Sequence, residues 1–152
     1  MKTLQTNIAE VCLIYKSKVK PSDRKKISSS FDAHKIFMEN WNPDTIEHVE
    51  EFKILLMNRS NSVLGIMDVS KGGISGCVVD NRIIFQAAIK ANASGIIVCH
   101  NHPSGNLNPS ESDTKITQKI KNAGAVVEVQ LLDHLIITTD GSYYSFADNG
   151  LL

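Results

Sequence analysis

His100 and His102, followed by Asp113, are the residues whose types and spacing point most directly to chemistry. In an extended segment, residues two apart project to the same side. Two imidazoles so placed can reach one ion at about 2.0–2.1 Å. They stand where the apolar run Gly95-Ile96-Ile97-Val98-Cys99 meets a loop rich in Asn, Pro, Ser and Gly. Catalytic groups commonly occupy such loops at the end of a rigid support. Pro103 and Gly105 turn the chain at once, and Asp113 falls in the first turn of the next helix, able to return as a third ligand. Three nitrogen or oxygen ligands leave a fourth position for water, the pattern of a catalytic zinc rather than a closed structural one. Ser110 and Asp113 also fit a capping box, in which a serine N-cap and an acidic residue three positions on satisfy each other's backbone donors. The two roles are compatible.

The elements that must position these residues follow from hydrophobic periodicity. Strands are expected over residues 7–15, 52–57, 63–69, 95–99, 126–132, 135–139 and 143–146, with the fifth and sixth joined near Asp133-His134. Helices are expected over Asp32–Trp41, residues 80–92 and Ser110–Ala123. Asp80 caps the second, whose inner side carries Ile83, Ala87, Ile89 and Lys90, while Gly124 ends the third. Asn42-Pro43-Asp44 and Lys71-Gly72-Gly73 interrupt the pattern. Strands and helices mix without strict alternation. The fold class is therefore α/β or α+β, a mixed sheet flanked by helices.

The chain has 152 residues, 42% hydrophobic and 21% charged, which suits one ordinary globular domain. Sixteen basic residues balance sixteen acidic ones, so no global field draws it to nucleic acid or membrane. Residues 16–26 nevertheless carry Lys16, Lys18, Lys20, Arg24, Lys25 and Lys26, a local strip that reads as a solvated face or as a DNA contact. Cys12, Cys77 and Cys99 are isolated in apolar runs, consistent with buried free thiols in a reducing compartment. The start MKTLQTNIAEVCLIY has no signal-peptide pattern, and the apolar runs are too short for a membrane span. A cytoplasmic location is the default expectation.

His-x-His, seven residues, then Ser-x-x-Asp resembles the signature of the JAMM (MPN+, JAB) metalloprotease domain, complete here as His100, His102, Ser110 and Asp113. The expanded His100-Asn101-His102-Pro103-Ser104-Gly105, with Pro109-Ser110 and Asp113, is similar to the RadC branch. So are Glu50-Glu51-Phe52, Gly72-Gly73, Asp133-His134 and the closing Tyr143-Tyr144-Ser145-Phe146-Ala147. The resemblance implies a cytidine-deaminase-like JAMM/MPN architecture over residues 46–152. Residues 1–45 then form an N-terminal extension of strand, basic loop and helix packed on that domain.

The resemblance also implies amide hydrolysis of a protein or peptide by a zinc-activated water, with an upstream glutamate as general base. Glu47, Glu50 and Glu51 are the candidates. By period two, Glu50 shares the inward face with Phe52, Ile54 and Leu56, where desolvation suits a general base, whereas Glu51 falls with Lys53. Glu50 is the first choice and Glu51 the second. Ser110 would donate its hydroxyl to the developing oxyanion. Asp133 and His134 either support the ligands from behind or satisfy a turn. The alternative function is that of a DNA-repair-associated accessory protein of the RadC type, binding DNA or a protein partner without peptidase activity.

Overall fold

The computed structural model describes residues 7–12, 14–72 and 77–152; Leu13 of the first expected strand and Gly73 lie outside them. The elements are α1 (Ser30–Glu39), β1 (Glu51–Met57), β2 (Val63–Lys71), α2 (Asn81–Lys90), β3 (Gly95–Asn101), α3 (Glu111–Val126), β4 (Gln130–Ile137) and β5 (Tyr143–Ser145). The five strands form one sheet in the order β2-β1-β3-β4-β5. β3 and β4 run parallel, and the other pairs run antiparallel. The fold is α+β with a mixed sheet, as the patterning predicts.

β1 and β3 are buried along their whole length, as strands covered on both faces must be. Their alternation divides the core. Phe52, Ile54, Leu56, Ile96 and Val98 pack with Ile84, Phe85 and Ala88 of α2 and Ile120 of α3. Leu55, Met57, Ile97 and Cys99 pack on the other face with Ala33, Ile36 and Phe37 of α1. His100 is therefore set on the α3 side of the sheet and Asn101 on the α1 side.

Several expected boundaries move. Among the described residues of 7–15 no strand forms, and Ile8, Val11 and Ile14 are exposed. The Tyr15 hydroxyl donates to the Leu64 carbonyl at 2.8 Å, so this stretch is held by a side chain rather than a ladder. α2 takes Asp80 as its N-cap as expected, but it buries Ile84, Phe85 and Ala88 and leaves Ile83 and Ile89 exposed. The sheet supplies its apolar surface to the face that carries Phe85, the largest side chain of the helix. The two strands expected on either side of Asp133-His134 are one strand, β4.

α3 runs through Gly124 to Val126, with Val127 as its C-cap, so Gly124 is not the cap. Its constraint is close packing. A Cβ there would stand 2.3 Å from the Val129 carbonyl oxygen and 3.5 Å from the Phe85 ring. Alanine would gain about 1 kcal/mol of helix propensity. Displacing the backbone of the α3–β4 connection costs more, so Gly124→Ala should lower stability by about 1–3 kcal/mol net. A denaturant midpoint equal to or above that of the parent chain would contradict this packing.

Candidate metal centre

The β1–β3 register pairs Phe52 with His100. Extending that register by two residues places Glu50 across from His102, on the same face. After β3, the His102 backbone N–H donates to the Ile137 carbonyl at 3.0 Å and keeps the chain against β4. His100 Nε2 and His102 Nε2 lie 3.0 Å apart. Asp113 approaches with Oδ1 3.2 Å from His100 Nε2 and Oδ2 3.3 Å from His102 Nε2. The three residues present ligand atoms within 4.8 Å of one another, a group able to hold a metal ion. Donors around a tetrahedral zinc with bonds of about 2.0–2.1 Å stand roughly 3.3–3.4 Å apart. The donor set of two imidazoles and one carboxylate fits that ion, with one ligand atom from each residue within 4.8 Å of the others.

The capping box and the ligand set coexist. Ser110 Oγ accepts from the Asp113 N–H at 3.0 Å, and Asp113 Oδ2 accepts from the Ser110 N–H at 2.7 Å. The start of α3 thus orients the carboxylate it presents to the histidines. Burial disfavours ionised Asp113, but the adjoining His100 and His102 rings and the Ser110 backbone N–H outweigh it and hold the carboxyl well below the usual range. The hydrogen bond to Asp113 raises the pKa of His102 against the opposing effect of burial. His102 Nδ1 meets the Asn106 carbonyl at 2.5 Å, which requires a proton on Nδ1 and leaves Nε2 to face the other ligands.

A cleft of about 390 Å³ opens over this group, with Glu50, Ser110, Ser112 and the apolar Phe52, Val79 and Ile116 in its lining. Glu50 is half-buried there and Glu51 is not among the lining residues. Glu51 points to the α1 side, where it accepts from Thr45 and pairs with Lys53 and Lys71. The second-choice base is thereby a structural acid. Cys77 lines the cleft partly exposed and Cys12 is exposed, so only Cys99 meets the expectation of a fully buried thiol.

Asp133 does not support the ligands. Its carboxylate accepts from Ser145 Oγ at 2.6 Å, from the His134 N–H at 2.7 Å and from the Ala147 N–H at 3.0 Å, tying β4 to the turn after β5. His134 does reach them, with Nε2 2.8 Å from His100 Nδ1. Burial, then the neighbouring His100, hold its pKa well below the usual histidine value. A β-bulge explains the division. Ile96 pairs with Leu131 but Ile97 with Asp133, so Leu132 is the extra residue. That insertion turns Asp133 to the α1 side and His134 to the α3 side.

Asn101 was not singled out by the sequence. Its Oδ1 accepts from the Glu51 N–H at 2.7 Å, and its Nδ2 donates to the carbonyls of Ile46 and Val49 at 2.7 and 2.9 Å. These bonds straddle Glu50 and fasten its segment to the strand bearing His100. The signal was an amide between two candidate ligands that must point to the opposite face. Asn101→Ala would leave three buried backbone groups unpaired, so urea denaturation should show a loss of roughly 2–4 kcal/mol. A loss below about 0.5 kcal/mol would mean the clamp is dispensable.

A family profile described as RadC-like JAB domain matches residues 27–151. The chain belongs to the RadC-like JAB domain family. It is 50% identical over 127 residues to a UPF0758 protein of Flavobacterium johnsoniae, covering 84% of this chain and 54% of that protein. A UPF0758 protein of Porphyromonas gingivalis is 46% identical over 103 residues, covering 68% of this chain and 45% of its own length. One from Clostridium kluyveri is 39% identical over 145 residues, covering 95% and 61%. The chain therefore spans about half the length of these relatives. Among the described residues, no helix of this RadC-like chain is long and apolar enough to cross a membrane.

Proposed function

We propose that this RadC-like chain is a zinc-dependent hydrolase of the JAMM type, a metallopeptidase or isopeptidase acting on protein or peptide amides. The observation that carries the reading is the convergence of His100, His102 and Asp113 beneath a cleft that Glu50 and Ser110 also line. Zinc, when bound, supplies an acidified water and polarises a carbonyl beside it. Glu50, in the lining of the same cleft, accepts the water's proton and returns it to the departing amine. The Ser110 hydroxyl, whose oxygen already accepts from the Asp113 N–H, retains its own proton to donate to an oxyanion. Phe52, Val79 and Ile116 bring apolar surface to the lining, which lowers the local dielectric and strengthens each of these interactions.

The test is hydrolysis of a diverse set of linear and isopeptide-linked substrates by the zinc-loaded chain, with chelator-treated protein as control. Cleavage that chelator abolishes and zinc restores supports the proposal; cleavage indifferent to chelator, or none across the set, overturns it. Unpaired thiols at Cys12, Cys77 and Cys99 suit a reducing compartment, and we place the chain in the cytoplasm.

The DNA-associated alternative draws on Lys16, Lys18, Lys20 and Lys26, all exposed; Lys25 is engaged by Glu39. Phosphate contact by these four would lower log affinity for a duplex with a slope near −0.9 per contact against log salt. A titration with no salt-dependent affinity removes that reading.

A further inference from the structure

We infer that His134 is a positioning residue that fixes which nitrogen of His100 carries the proton and so aims the other at the metal. The inference rests on His100 being a ligand.

The argument begins at an atom with only one possible role. Thr117 Oγ1 lies 2.6 Å from the carbonyl oxygen of Asp113, one helical turn earlier. A carbonyl can only accept, so at that distance the threonine hydroxyl proton is committed to it. Thr117 Oγ1 also lies 2.6 Å from His134 Nδ1. With its proton committed, the hydroxyl can only accept there, and His134 Nδ1 must carry a hydrogen. The ring is fully buried and its two nitrogens meet only Thr117 and His100, with no carboxylate to hold a second hydrogen, so His134 Nε2 is bare. That bare nitrogen is 2.8 Å from His100 Nδ1, which must therefore be the donor. His100 then keeps its Nε2 lone pair, on the side facing His102 and Asp113. The direction of every bond follows from the one carbonyl and the single hydrogen of the His134 ring.

The surroundings hold this order in place. His134, Thr117 and His100 are each 2% exposed or less, so water offers no competing partner. The His134 ring stacks on Phe146 with centroids 4.7 Å apart and planes 9° from parallel, and Phe52 stacks on His100 at 6.1 Å and 4°. The stacking holds the ring planes, and a 180° flip of either ring would replace a hydrogen-bonding nitrogen with a carbon. Reversing the chain would put a hydrogen on His100 Nε2, the atom that must be bare to ligate. An outer hydrogen bond of this kind selects the tautomer and orientation of a ligating histidine, and its loss typically weakens metal binding by about 10–100-fold.

Two measurements on the full chain test the inference. The first is zinc affinity by chelator competition for the parent chain, His134→Phe and His134→Gln. Phenylalanine keeps the stacking and loses the acceptor; glutamine restores an acceptor near the Nε2 position. His134→Phe should lose about 10–100-fold in affinity, and His134→Gln should recover most of it. Equal affinity in folded His134→Phe, or no recovery by glutamine, overturns the role. The second, independent of whether any variant folds, is two-bond ¹⁵N–¹H imidazole correlation on the metal-free parent. His100 should carry its proton on Nδ1 and His134 on Nδ1. A bare Nδ1 on His100 overturns the inference, whereas a parent with no zinc affinity but the expected imidazole pattern sinks the proposed function alone.

Discussion

Replacing Glu50 by glutamine should abolish hydrolysis while leaving zinc in place. The carboxylate lines the cleft across from His102 but lies outside the ligand group, so the isosteric amide leaves the metal donors untouched. What it removes is the only proton acceptor we assign to the water. Loss of a positioned general base costs about 10²–10⁴-fold in rate. Glu51→Gln supplies the contrast. Glu51 faces the α1 side with Thr45, Lys53 and Lys71, so its substitution should lower stability and spare turnover per folded molecule. Activity of Glu50→Gln within tenfold of the parent, at equal zinc content, would remove Glu50 from the reaction.

His102→Ala should empty the site. His102 supplies one of three ligand atoms, and two ligands cannot hold a zinc that three hold with an open position. The parent chain should purify with about one zinc per molecule, and the variant should lose at least about 100-fold in affinity, the upper end of what an outer partner costs. The fold should survive, because the ring sits at the cleft and contacts only its fellow ligands and the Asn106 carbonyl among the hydrogen bonds described. Full zinc retention by the variant would overturn the ligand set. Proton and metal also compete at His102, whose pKa Asp113 raises. Below that raised value its imidazole binds a proton that the metal must displace. Zinc affinity should then fall by up to about tenfold for each unit of pH lost. A flat affinity profile across that range would mean His102 does not ligate.

Much of the site was legible along the chain because its parts are local. His100 lies in β3 and His102 directly follows the strand's last residue, so their common face follows from continuing the pleat. Asp113 follows from a capping pattern in the helix just beyond the loop. Glu50 was legible by parity with Phe52, Ile54 and Leu56, since a strand buried on both faces still alternates strictly. The β4 reading failed for a related reason. Two polar residues inside an apolar run look like a turn when nothing along the chain shows what they will meet.

Only the tertiary structure decided the rest. The opposite fates of Asp133 and His134 depend on one bulged residue, Leu132, whose insertion exists only relative to β3. The clamp of Asn101 on the Glu50 segment joins residues about fifty positions apart, and its three bonds answer to backbone groups that any sequence would present. Gly124 reads as a helix cap along the chain, but α3 continues past it and the Val129 carbonyl oxygen lies 2.3 Å from where its Cβ would be. Sequence determined which side chains could bind a metal and which face of the strand carries them, because those depend on residue type and period. The assembled fold decided which acid reaches the cleft and which histidine stands behind the ligand, because those depend on register between strands that are distant along the chain.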